Sequence, residues 1–154
     1  MRTLTLMIAV VLGFCFGLPA SANSTPQEIE EGLARCTSKP PTNQIEDNVC
    51  AGLRAAKAEL RLTRAYASLR ALLKRLDEPG RVAHLVKVQR AWIAFREASC
   101  ESTDRGTMIA MIYSGCMRRM ADERALSLED WLAAVCEENC TEHTALSECR
   151  QCGA

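Results

Sequence analysis

The sequence predicts an all-α fold, an antiparallel three-helix bundle with a short flanking helix at each end, stapled by disulfides. Aromatic residues are only 5% of the 154, while Ala, Leu, Glu and Arg are abundant, which leaves strands short of the β-branched and aromatic side chains they need. Three long stretches carry apolar residues at spacings of three and four, the period of one helix face. The nine cysteines complete the picture, because an even number of them would remain in an exported chain after removal of a leader.

Residues 1–22 are expected to be that leader. Arg2 supplies a positive start, Leu4 to Leu18 an apolar stretch, and Ala20-Ser21-Ala22 a small-x-small cleavage site. Gly13, Gly17 and Pro19 interrupt a stretch already short for spanning about 30 Å of hydrocarbon, so no membrane span is expected once it is cleaved. Bulky Phe14 before Cys15 argues against a lipidated cysteine. The product would be a soluble periplasmic or secreted chain beginning at Asn23. It would have 18 basic and 19 acidic side chains and eight cysteines. Such a balance offers no basic field for a phosphate backbone, and nucleic acid is not an expected partner.

The chain is long enough for one main domain, expected over 23–135, followed by a cysteine-rich tail over 136–154. Thr25-Pro26-Gln27-Glu28 combines a capping hydroxyl, a proline at the first helical position and a glutamate three residues after the cap, which starts a short helix ending near Cys36. Pro40-Pro41 is a connector, and Asn43 can cap the next helix. Leu62, Tyr66, Leu69, Leu73 and Leu76 then form one apolar stripe. Asp77-Glu78-Pro79-Gly80 is predicted to be a turn in which proline stops one helix and glycine permits the reversal. The second long helix puts Val82, Leu85, Val88, Trp92 and Phe95 on one stripe up to Cys100, so it can pack as a hairpin on the first. After the polar segment 101–107, a third long helix runs from Met108 to about Glu138 through Met111, Ile112, Cys116, Met120 and Leu128, with Ser127 a possible break. Asn139-Cys140-Thr141 can turn the chain into a final short helix.

Cys136-x3-Cys140-x8-Cys149-x2-Cys152 brings each pair of cysteines to one side of a helix. Pairing Cys136 with Cys152 and Cys140 with Cys149 would staple a hairpin too small to hold itself. A four-thiolate zinc or copper site is the sharper alternative, but an oxidising compartment works against it, and no metal or cofactor is expected. Cys149-Arg150-Gln151-Cys152 lacks the βαβ setting of a thiol oxidoreductase. His84 and His143 accompany no nucleophile, and no Gly-rich phosphate loop, HExxH or EF-hand pattern is present. A binding protein is therefore expected rather than an enzyme.

The segment Gln89-Arg90-Ala91-Trp92-Ile93-Ala94-Phe95-Arg96-Glu97-Ala98-Ser99-Cys100 resembles the Q-x-x-W-x-x-F-R-D/E-x-x-C helix of the LprI-like lysozyme-inhibitor family. Cys36 and Cys50, Leu62 and Tyr66, Gly106-Thr107, Cys116 and Arg124 follow that family's order, and the similarity covers about residues 36 to 132. Glu59 and Thr63 stand where the family often has Asp and Asn, Thr107 replaces Ser, and the tail lies outside the pattern. We expect Trp92 and Phe95 to be core, with Gln89 and Arg96 holding a polar contact between helices. Eight cysteines allow 105 pairings. We favour Cys36 with Cys50, Cys100 with Cys116, and the nested tail pairs.

The resemblance implies an exported inhibitor whose partner is a lysozyme or another peptidoglycan hydrolase. The polar segment between the later long helices is the candidate binding loop, with Ser102, Asp104, Arg105, Gly106 and Thr107 as its residues and Arg105 as a cation for a cleft that holds two carboxyl groups. An ordinary helix connector is the plainer reading of that segment. The alternative function is a structural or interaction module of the cell envelope without inhibitory activity.

Overall fold

The structure is a computed structural model that describes residues 24–101 and 106–140. Four helices account for almost all of them, with no strand among the described residues: α1 (Pro26–Ser38), α2 (Gln44–Arg75), α3 (Pro79–Cys100) and α4 (Ile109–Cys140). The three long helices form the bundle, and α1 flanks it. The leader and the expected C-terminal short helix lie outside the described residues.

Local chemistry accounts for the helix ends. At α1 the backbone N–H of Glu28 donates to Thr25 Oγ1 at 3.2 Å, while Glu28 Oε2 accepts from the Thr25 backbone at 2.7 Å. Both orphan donors are thereby satisfied. Asn43 caps α2 by accepting from the Glu46 N–H at 3.0 Å. The α2–α3 reversal differs from the sequence expectation. Gly80 lies inside α3 and Pro79 starts it, while Asp77 carries the positive φ of 52°. Its N–H reaches the Lys74 carbonyl, and the Glu78 N–H reaches that of Leu73. These are the two bonds of a Schellman ending, with a short Asp side chain tolerating the left-handed conformation that glycine usually supplies.

Cross-links between helices define the path of the chain. Helix α3 runs antiparallel to α4: Arg81 meets Glu138, Gln89 meets Arg124, and Cys100 is bonded to Cys116. Helices α2 and α4 run in the same direction. The Asn48 side chain donates to the Thr107 carbonyl just before α4, and Arg61 makes a two-point ion pair with Glu129 further along both.

The closest pairing is between α2 and α4, which are not neighbours in sequence. Small buried residues explain this: Ala58 and Ala65 of α2 face a core that includes Ala121 and Ala125 of α4, and the absence of bulk lets the two backbones approach. Leu62, Leu69, Leu72, Leu73, Leu85 and Leu128 fill the rest. Helix α4 is continuous through Ser127 and through positions 135 and 136, and both Val135 and Cys136 are buried in this core. On the other side of α2, α1 is held by the Cys36–Cys50 disulfide. Gly32 sits so close to Leu53 that an added Cβ would come within 2.7 Å of Cδ1, and a larger residue there would have to turn the Leu53 side chain aside.

The α3 stripe also needs correction. Its buried residues are Leu85, Arg96 and Cys100, while Phe95 is 62% exposed and Trp92 is only half-buried against the core. At about 100° per residue, Arg96 falls within roughly 20° of Leu85 and Phe95 lies about 80° to the side. Apolar character suggested Phe95 for the core, but helix geometry selects Arg96. Ile112, expected on the α4 stripe, is likewise exposed.

Candidate functional site

The Gln89-to-Cys100 segment places four of its residues on the inner side of α3. Gln89 Oε1 accepts from Arg124 Nε at 3.0 Å, tying α3 to α4. Arg96 Nη1 donates to Glu59 Oε1, tying α3 to α2. The Arg96 guanidinium also lies over the Trp92 ring, 4.8 Å from its centroid, where the negative ring face attracts it. Cys100 is bonded to Cys116. The segment thus binds both neighbouring helices, and the expected polar contact between helices divides into two contacts.

Neither arginine is fully satisfied. Arg96 Nε and Arg124 Nη2 are buried without a hydrogen-bond partner, and burial pushes the Arg124 guanidinium below its ordinary pKa. A guanidinium has five N–H donors in a rigid fork, and helix side chains meet only some of them here.

Because α3 packs less closely on α2 than α4 does, a groove of about 470 Å³ opens between α2 and α3. Glu59, Thr63 and Tyr66 form one wall, with Gln89, Trp92 and Arg96 on the other. The motif residues therefore share one groove, with Arg70 and Arg90 beside it. Arg70 and Arg90 were not singled out from the sequence, since an exposed arginine on a helix reads as ordinary solvated surface.

A second feature lies at the end of the bundle where α2 begins, α3 ends and α4 begins. Ile45, Val49, Phe95, Met108, Ile112 and Tyr113 are each between 43% and 76% exposed there. Gly106 and Thr107, two of the candidate loop residues, stand exposed at this end, Gly106 with a φ of 134°. Ser102, Asp104 and Arg105 lie outside the described residues. A sequence signal for this end existed: Val49 falls roughly opposite Leu69 around α2, on a face where the core stripe has no use for it.

Cys136 is disulfide-bonded, but the nested tail pairing and the thiolate metal alternative fall on residues outside those described.

These features define a class: a small, disulfide-stapled helical domain that buries polar links between its helices and exposes large apolar side chains at one end. The family described as lysozyme inhibitor LprI matches residues 36–128, and the chain belongs to this family. An uncharacterised protein of Rhizobium meliloti (strain 1021) is 30% identical over 140 residues, covering 82% of this chain and 94% of the relative. No solved structure matches the chain. Among the described residues, no helix is long and apolar enough to cross a membrane.

Proposed function

We propose that the protein is an exported inhibitor that binds a lysozyme or a related peptidoglycan-cleaving enzyme and occludes its cleft with the 101–108 connection. The observation that carries the reading is the apolar end. Six large apolar side chains stand exposed on the helix ends that flank this connection, and exposed apolar surface of this kind marks an interaction surface. Family membership supplies the class of partner. Phe95 and Tyr113 would act as anchors in the partner's surface, and Arg105 would meet the carboxyl groups of the cleft. The N-terminal leader read from the sequence supports export.

Inhibition of lysozymes of several classes tests the proposal, using wild type, Phe95→Ala, Tyr113→Ala and Arg105→Glu, with helicity checked for each. Weakened inhibition by folded variants is expected. No inhibition of any class by the wild type would favour the envelope interaction module.

A further inference from the structure

We propose that the groove between α2 and α3 is a binding site for an anionic, sugar-sized ligand, one that carries a carboxylate or phosphate on a ring. The inference does not rest on the inhibition reading, because the groove lies further along the bundle than the apolar end.

Charge is the first argument. Glu59 is the acidic residue lining the groove, and Arg96 already neutralises it. Arg70 and Arg90 add two guanidiniums, one from each wall, and neither makes an ion pair among the described residues. In a chain with no net charge, the groove holds a local excess of two positive charges, one guanidinium from each helix, and a guanidinium is a donor suited to an oxyanion. The second argument is the floor. Arg96 is 8% exposed, and although Glu59 balances its charge, its Nε is a buried donor without a hydrogen-bond partner, so the floor of the groove keeps unmet hydrogen-bonding capacity. Size and surface supply the third. About 470 Å³ is far more room than a bare phosphate needs, and half-buried Tyr66 and Trp92 with Ile93 offer ring and apolar surfaces for a ligand body. Arg70 lies outside the Gln-to-Cys motif and Arg90 occupies a position that the motif leaves open, so neither guanidinium is one of its fixed residues.

The test is calorimetric titration of the full exported chain with four probes: N-acetylmuramic acid, N-acetylglucosamine 1-phosphate, neutral N-acetylglucosamine and inorganic phosphate. At least one charged sugar should bind about tenfold more tightly than the neutral sugar and the bare phosphate, and which one does so identifies the oxyanion. The double variant Arg70→Ala/Arg90→Ala should lose that advantage while keeping its melting temperature, because both side chains are exposed. Absence of binding at millimolar concentration would overturn the proposal. So would equal affinity for charged and neutral sugars, phosphate binding as tight as the sugars, or a double variant with unchanged affinity. Lysozyme inhibition can persist or fail independently of each result.

Discussion

Arg96 of α3 is almost fully buried, yet it finds its carboxylate on another helix, where Glu59 of α2 accepts from its Nη1 while Trp92 covers the guanidinium from its own helix. One side chain thereby ties α3 to α2 on the face that Leu85 and Cys100 also bury.

Removing the cation should therefore loosen α3. Arg96→Ala strips away the pair and the packing over Trp92, and should cost about 2 to 4 kcal/mol, less than a fully buried pair because Glu59 keeps contact with water. Glu59→Gln keeps an acceptor and should cost about 1 kcal/mol. Urea unfolding of both variants measures this, and equal midpoints for all three proteins would show that the pair is incidental.

The seam between α2 and α4 should tolerate bulk poorly. Ala125 is fully buried there, and Ala125→Leu should destabilise by about 1 to 3 kcal/mol through overpacking. Phe95→Ala should change stability by no more than about 0.5 kcal/mol, since the ring is mostly in water. Thermal unfolding of the two variants side by side distinguishes the buried seam from the exposed end.

The disulfide between Cys36 and Cys50 closes 14 residues. A loop of this size contributes about 3 kcal/mol by restricting the unfolded chain, and it is the covalent tie of α1 to the bundle. The double variant Cys36→Ser/Cys50→Ser should lose about that amount, with faster amide exchange concentrated in α1. Exchange that accelerates equally in α4 would mean that α1 is integral to the core.

Acid should destabilise the protein. Hydrogen bonds from the Thr25 and Thr42 backbones hold Glu28 and Glu46 below the ordinary carboxylate pKa of 4.5, and the Arg61 hydrogen bond does the same for Glu129. A carboxyl whose folded pKa is lowered stabilises the fold above its unfolded pKa, and that contribution is lost as pH falls through the folded value. Stability should hold from neutral pH down to about 5 and then decline. Glu129→Gln should flatten part of the decline in a series of melting curves. A slope unchanged by Glu129→Gln would remove the Arg61–Glu129 pair from the explanation.

The sequence by itself determined the number of long helices, the N-terminal caps of α1 and α2, and the family, because capping chemistry and the three-and-four spacing are local and the Gln-to-Cys motif is contiguous. It also brought forward Gln89 and Arg96 as polar links between helices. Their partners Arg124 and Glu59 were a matter for tertiary structure, since each lies more than thirty residues away. The same holds for the close α2–α4 pairing: alanines signal that approach is possible, but not which helix approaches. The choice of Arg96 over Phe95 for the interior was likewise settled in three dimensions. Hydropathy ranks the side chains one at a time, whereas burial follows from rotation about the helix axis once Leu85 has been fixed against two other helices. The groove exists only because residues distant in sequence share a boundary, and for the apolar end the local pattern offered one exposed position, Val49, without showing which helix ends lie beside it.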